Sequence, residues 1–368
     1  MRVRHIDCGA MPPLGGRLID DRPGLLRRGE MVTHCPLIDT GAQLVLVDPG
    51  VGTPSVDGAR GWLGRGLVTA FRLGGDARET AVARVRGLGY DPADVSDIVL
   101  THGDGDHAGG LVDFPDANVH VLAEELRALS APATRLERAR YHRAHFAHRP
   151  RWIPYEEVGE RWFGFGAVRA LKGLPPEILL VPLAGHTRGH AGVAVDTGAG
   201  WLLHAGDSYF HRGELDARAP HCPPGIGLFQ RMVESRRRER PGNQRHLREL
   251  VHDHGDRVTV FSAHCADEFD AIGPIGLRGG ENSGDGVPGK GVGRVPCGAR
   301  GAARGGVGVQ VGGRGAHRAD GRRRGRVSQG HRGRGGAWAV GGGSVGAAFL
   351  PGAGAGRARA HAAPARRA

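Results

Sequence analysis

The sequence predicts a layered α/β fold over residues 1–270, and three observations carry that expectation. Short apolar runs, about four to six residues each, have the length and composition of buried strands. They come in two successive blocks, each accompanied by stretches at helical spacing, which suits sheets covered by helices. At five places the turn directly after such a run carries Asp or His: Asp48, His102–His107, His186, Asp207 and His264. Strand ends therefore converge on one edge.

Taken in order, residues 1–30 are rich in Pro and Gly and carry no clear period. Gln43-Leu-Val-Leu-Val-Asp48, closed by Pro49-Gly50, reads as the first strand, with Pro36–Asp39 as its hairpin partner across Thr40-Gly41. Glu79–Leu88 has helical spacing and Gly89 as a stop. Asp97–Thr101 reads as a buried strand and Asn118–Leu122 as another, with a helix from Ala123. Residues 123–150 form a helical insertion in which His142, His145 and His148, spaced three apart without carboxylate or Cys among them, are read as a solvated face and not as ligands. Trp152, Tyr155, Trp162, Phe163 and Phe165 are read as core and lid packing. The second block holds strands at Glu177–Val181, Gly192–Val195, Trp201–His204 and Arg257–Ser262. Between the last two lie helices at Gly227–Arg238 and Asn243–His254, separated by Pro241-Gly242.

Composition changes near Ala271. From there to Ala368 the chain has about 30 Gly and 16 Arg in about 98 residues, and about 17 basic residues against 3 acidic. The basic character belongs to this tail, because about 33 basic and 35 acidic residues remain for positions 1–270. The body therefore gives no electrostatic reason for a nucleic-acid or membrane partner. The tail lacks apolar periodicity, which predicts a disordered extension or the product of a shifted reading frame in GC-rich sequence. Its R-G-G triplets at Arg278, Arg304 and Arg334 allow RNA binding, but only Trp338 and Phe349 are there for stacking. Five scattered Cys without a C-x-x-C pair point to a reducing compartment. No apolar run is long enough for a signal core or a bilayer span, so a soluble cytoplasmic protein is expected.

Thr101–Gly110 reads T-H-G-D-G-D-H-A-G-G. Two imidazoles (His102, His107) and two carboxylates (Asp104, Asp106) alternate with glycine at the end of a strand. A polar turn with a capping Asp explains one carboxylate and neither His. Imidazole nitrogen and carboxylate oxygen together suit zinc, iron or manganese better than calcium. The stretch reads as a metal site.

With H-x-D-x-D-H followed by G-H-T-R-G-H (His186, His190), then Gly206-Asp207, then a strand ending in Ala263-His264, the chain resembles the metallo-β-lactamase superfamily. It is most similar to the glyoxalase II and acyl-homoserine-lactone lactonase type. The resemblance covers about Met31 to Asp270 and implies a four-layer αβ/βα sandwich with metals at the seam. It implies a first site from His102, Asp104 and His186, a second from Asp106, His107 and His264, and Asp207 as the bridge between two ions, most simply Zn2+. Asp48 would hold a ligand loop in place, and His190 would pack or hydrogen-bond. The commoner pattern has His where this chain has Asp104, which moves the first site towards Mn2+ or Fe. Cys265 stands where related sequences often carry Asp, and is read as inert.

The function so implied is hydrolysis of a small ester, thioester or lactone by a metal-bridging hydroxide, with Asp106 orienting it and moving its proton. Tyr209, two residues past Asp207, is a candidate oxyanion donor, with packing as its alternative. Two other functions stay open: a di-iron redox protein of the same fold, and a nuclease or RNA binder using the basic tail.

Overall fold

The computed structural model describes residues 1–166 and 171–273. The expectations for the Gly/Arg-rich tail therefore lie outside the described residues beyond Gly273. Strands β1 (Arg2–Asp7), β2 (His34–Asp39), β3 (Leu44–Val47), β4 (Val95–Val99), β5 (Asn118–Leu122) and β6 (Arg151–Tyr155) form a six-stranded sheet in that order. Pairing is antiparallel from β1 to β3 and parallel from β3 to β6. A small hairpin, β7 (Arg161–Trp162) and β8 (Phe165–Gly166), precedes a second sheet. That sheet consists of β9 (Ile178–Pro182), β10 (Ala191–Asp196), β11 (Trp201–His204) and β12 (Val258–Phe261), ordered β12-β11-β10-β9, with β11 and β12 parallel.

The helices are α1 (Arg17–Asp20), α2 (Pro54–Trp62), α3 (Arg65–Phe71), α4 (Ala81–Gly87), α5 (Gly105–Ala108), α6 (Ala123–Ser130), α7 (Arg135–Arg140), α8 (Pro224–Val233), α9 (Glu239–His254) and α10 (Ala266–Ile272).

Strand periodicity sorts the apolar side chains into layers. On β3, Val45 and Val47 face inward with Val99 of β4, and meet Ile178, Leu180 and Val193 of the second sheet in one core. Leu44 and Leu46 point the other way, to Ala81 and Val85 of α4. In the second sheet Leu179 and Val181 face outward onto Leu247 and Leu250 of α9. Helix, sheet, sheet and helix give the expected four-layer sandwich. Both faces of each sheet are covered, which is why its central strands read as unbroken apolar runs.

Local chemistry moves several boundaries. Strand β1, in the stretch with no clear period, buries only Val3 and Ile6 at an edge of its sheet, too little to signal from sequence. Helix α4 starts one residue after Thr80, whose side chain accepts the Ala83 N–H. The helix predicted over 227–238 runs instead from Pro224 to Val233, and Pro241-Gly242 does not separate two helices. Pro241 falls in the first turn of α9, where its missing N–H has no intrahelical acceptor to lose. Helix α10 carries the chain past Asp270, and Ile272 packs against the core between the sheets. Among the described residues, no helix is long and apolar enough to cross a membrane.

Candidate metal centre

The carboxyl ends of β3, β4, β11 and β12, with the loop between β9 and β10, deliver the acidic and imidazole side chains to one place. Asp48 follows β3 in a left-handed conformation (φ 53°) and is fully buried. Its Oδ1 accepts the Thr101 N–H (2.8 Å), and its Oδ2 accepts the Thr101 hydroxyl (2.6 Å) and His107 Nδ1–H (2.8 Å). The turn after Asp48 lies directly under Gly109-Gly110: a Cβ on Gly110 would stand 2.2 Å from the Pro49 carbonyl oxygen. The two glycines ending D-H-A-G-G are there for that close approach.

Two buried groups result, each with donor atoms within 4.8 Å of one another: His102, His186 and Asp207, and Asp106, His107 and His264. Asp207 divides between them. Its Oδ1 is 3.2 Å from His107 Nε2 and 3.1 Å from His264 Nε2. Its Oδ2 is 3.3 Å from His186 Nε2 and 3.8 Å from His102 Nε2. Asp106 Oδ2 lies 3.7 Å from His107 Nε2 and 3.6 Å from His264 Nε2. Asp104 Oδ2 lies 2.9 Å from His186 Nε2 and 3.5 Å from His102 Nε2. Every residue the sequence suggested as a ligand is in this cluster.

The outer nitrogen of three rings has a partner that sets its tautomer. His107 Nδ1 donates to Asp48, and His264 Nδ1 donates to the Val32 carbonyl at 2.7 Å. Thr101 Oγ1, whose own hydrogen goes to Asp48, accepts from His102 Nδ1 at 2.9 Å. All three therefore turn an Nε2 lone pair inward. His102 Nε2, Asp104 Oδ1 and Asp207 Oδ1 are buried with no hydrogen-bond partner. Inward lone pairs and orphaned acceptors of this kind fit divalent cations.

Electrostatics agree. Burial works against the charge on Asp207, yet His264, His107, His186 and His102 hold its carboxyl well below the usual range. Burial likewise opposes charge on His107, but Asp207 and Asp106 push its pKa well up. Burial and the Arg140 guanidinium pull His186 down to about 4.

His190 is outside both groups. Its Nδ1 donates to the Leu183 carbonyl (3.0 Å) and its Nε2 accepts the Asp207 backbone N–H (2.9 Å), so it orients the Asp207 turn. Tyr209 requires a correction. The turn closed by Ser208 N–H to the Ala205 carbonyl carries it under the second sheet. There it is fully buried and its hydroxyl donates to Glu268 at 2.9 Å, away from the metal groups. Cys265 belongs to neither group, and burial pushes its thiol up to about 12.

The insertion also differs from expectation. Glu137, Tyr141 and His145 are buried, and His145 Nε2 donates to the Trp62 carbonyl at 2.8 Å. The segment closes over a cavity of about 440 Å³ with Asp104, Asp106, His186, Asp207 and His264 on its wall. The rest of the wall is mainly apolar, including Leu63, Leu67, Phe71, Phe210, Phe229 and Val233.

Two residues that the sequence reading passed over serve this centre. Glu125, fully buried, accepts the Gly103 N–H (2.9 Å) and Tyr141 hydroxyl (3.1 Å) on Oε1, and the Thr187 hydroxyl (2.7 Å) and Gly189 N–H (3.1 Å) on Oε2. It ties the H-G-D loop to the G-H-T-R-G-H loop. Arg140, with a side chain only 5% exposed, reaches Asp104 Oδ2 at 3.3 Å. A Glu in an ordinary helical stretch and an Arg among other arginines carry no sequence signal of their own.

Comparisons with known proteins agree with this geometry. Residues 28–240 match the family model described as metallo-beta-lactamase superfamily. Curated proteins of Mycobacterium bovis and Mycobacterium tuberculosis, each named "Probable metallo-hydrolase", are 38% identical over 271 residues, covering 73% of this chain and 82% of theirs. Among solved structures, a B. thuringiensis AiiA variant with N-decanoyl-L-homoserine at its active site aligns with a TM-score of 0.54 and 17% identity, over 73% of this chain and 95% of that one. A Staphylococcus aureus protein described as a "probable metal-dependent hydrolase" aligns with a TM-score of 0.52 and 16% identity, over 72% of this chain and 88% of that one. With the fold, the donor groups and these relatives in agreement, the chain belongs to the metallo-beta-lactamase superfamily and is a metallohydrolase.

Proposed function

We propose that this metallohydrolase cleaves small esters, thioesters or lactones that carry an apolar group. His102, Asp104 and His186 would hold one divalent ion and Asp106, His107 and His264 a second, with Asp207 shared. The observation that supports this most is the division of Asp207, one oxygen towards each pair of imidazoles. The N/O donor set suits Zn2+, with Mn2+ and Fe as the alternatives that Asp104 introduces. Two such ions, when bound, would supply a water of near-neutral pKa and an electrophile for a carbonyl oxygen.

The chain's own groups then have distinct tasks. Asp106 lies on the cavity wall beside His107 and His264, placed to take a proton from the attacking water and pass it to the leaving group. Leu63, Leu67, Phe71, Phe229 and Val233 receive the apolar part of the substrate and exclude bulk water. The mycobacterial metallo-hydrolases favour hydrolysis over the redox alternative. The test is elemental analysis of the purified chain, followed by a panel of esters, thioesters and lactones of increasing alkyl length. Two ions per chain and a kcat/KM that rises with chain length are expected. Oxygen uptake without hydrolysis, or a chain free of divalent metal after growth and reconstitution, would sink the reading.

A further inference from the structure

The two halves of the centre have matched donors. Each has two imidazoles, one carboxylate of its own (Asp104 or Asp106) and one oxygen of Asp207. They differ in one respect: a guanidinium stands against the carboxylate of the first half. Arg140 Nη1 is 3.3 Å from Asp104 Oδ2, whereas among the described residues no arginine or lysine is paired with Asp106.

That arginine is held from three sides. Its Nη1 donates to the His186 carbonyl at 3.1 Å and its Nη2 to the Val233 carbonyl. Helix α7, which carries it, starts with a capping box between Thr134 and Glu137. Three of its five N–H donors are directed at these carbonyls and at Asp104, and the side chain lines the cavity. Asp104 is divided in turn. Its Oδ2 is shared by Arg140 and His186, while its Oδ1 is buried with no partner.

We propose that Arg140 is a positioning residue, and that Arg140 and Asp104 form a charge-compensated pair that replaces one neutral donor at the first metal site. The inference rests on the metal reading above. Arg140 fixes Oδ2, the oxygen that stands 2.9 Å from His186 Nε2 and 3.5 Å from His102 Nε2, and cancels the charge that Asp104 adds. Losing the cation alone leaves a misplaced carboxylate with uncompensated charge. Replacing Asp104 alone by a neutral donor leaves a buried, unpaired guanidinium facing the ion. Changing both together restores the balance.

The experiment is a double-mutant cycle on the full chain: wild type, Arg140→Met, Asp104→His and the double variant. Co2+ stoichiometry and affinity are read by titration calorimetry, and the first-site environment by the visible absorption of bound Co2+. Each single variant should lose about tenfold or more in affinity at one of two sites, with an altered spectrum. The double variant should recover to within about threefold of wild type, and Arg140→Lys should recover part of the loss. If Arg140→Met fails to fold, Asp104→His and the double variant still decide, because the double must bind better than Asp104→His. Unchanged affinity and spectrum in Arg140→Met, or a double variant no better than Asp104→His, would overturn the pair. An effect of Arg140→Met confined to KM would instead make it a substrate contact and also overturn the proposal. A wild-type chain that takes up no Co2+ at all would defeat the metal reading itself, a different result from a wild type that binds two ions and ignores Arg140.

Discussion

The Nε2 atoms of His107 and His264 stand 3.2 Å apart, and the far nitrogen of each ring donates to an acceptor with no proton to return: Asp48 for one, the Val32 carbonyl for the other. Two lone pairs therefore face each other, and only a positive charge makes that contact favourable. Without a metal the charge is a proton, which is why Asp207 and Asp106 raise His107 against the effect of burial.

Cation binding should therefore expel that proton. With His107 raised well above 6.5, the metal-free centre is protonated at neutral pH, and affinity should weaken as pH falls. Zn2+ titration at pH 7 in two buffers of different ionisation enthalpy should report release of about one proton per chain. Identical heats in the two buffers would refute this.

The two histidine classes should separate cleanly. His107→Ala should lose at least one ion, and hydrolysis should fall by about 10³-fold or more. His190→Gln should keep its metal content and lose about 1–3 kcal/mol of stability, because the Asp207 N–H and Leu183 carbonyl lose a well-placed partner. Elemental analysis alongside denaturant unfolding decides, and parallel metal loss in both variants would show the ligand assignment to be wrong.

Glu125 offers a test of the scaffold. Four donors converge on its carboxylate, and an amide in its place would turn its own N–H groups on some of them. Glu125→Gln should cost about 2–4 kcal/mol in urea unfolding and weaken metal binding. A variant as stable as wild type would mean that the two loops are held by something else.

Glu268 should make stability depend on pH. Burial raises its pKa to about 7 from 4.5, although Ser262 N–H and the Tyr209 hydroxyl donate to it. A carboxyl raised in the folded state favours the fold when protonated, so its contribution is fullest below about pH 4.5 and is lost as pH rises through 7. The difference amounts to about 3 kcal/mol. The stability of Glu268→Gln relative to wild type should therefore increase between pH 5 and 8, by thermal melts of both proteins. A flat difference would remove Glu268 as the source.

The sheets and the donor cluster were legible because both rest on local pattern. Val45 and Val47 alternate with Leu44 and Leu46, and His102–His107 packs four donors into six positions. What was missed depends on contacts distant in sequence. Between the two readings of Tyr209, oxyanion donor or packing, spacing does not choose, because a turn decides which way it points. Arg140 and Glu125 acquire their roles only when α6 and α7 are folded against the His186 loop. His145, in an Arg/His-rich stretch, is buried because Trp62, far away in the chain, offers it a carbonyl.

Helix α7 places Leu136 and Ala139 on the cavity wall and Arg140 against Asp104 within a single turn or so of backbone. The shape of the cavity and the charge beside the His/Asp cluster thus both depend on one short helix. Evolution or engineering that tilts this helix to admit a bulkier molecule would drag the guanidinium with it, so the cavity is reshaped more safely at Leu67, Phe71 or Phe229, which line it from other helices.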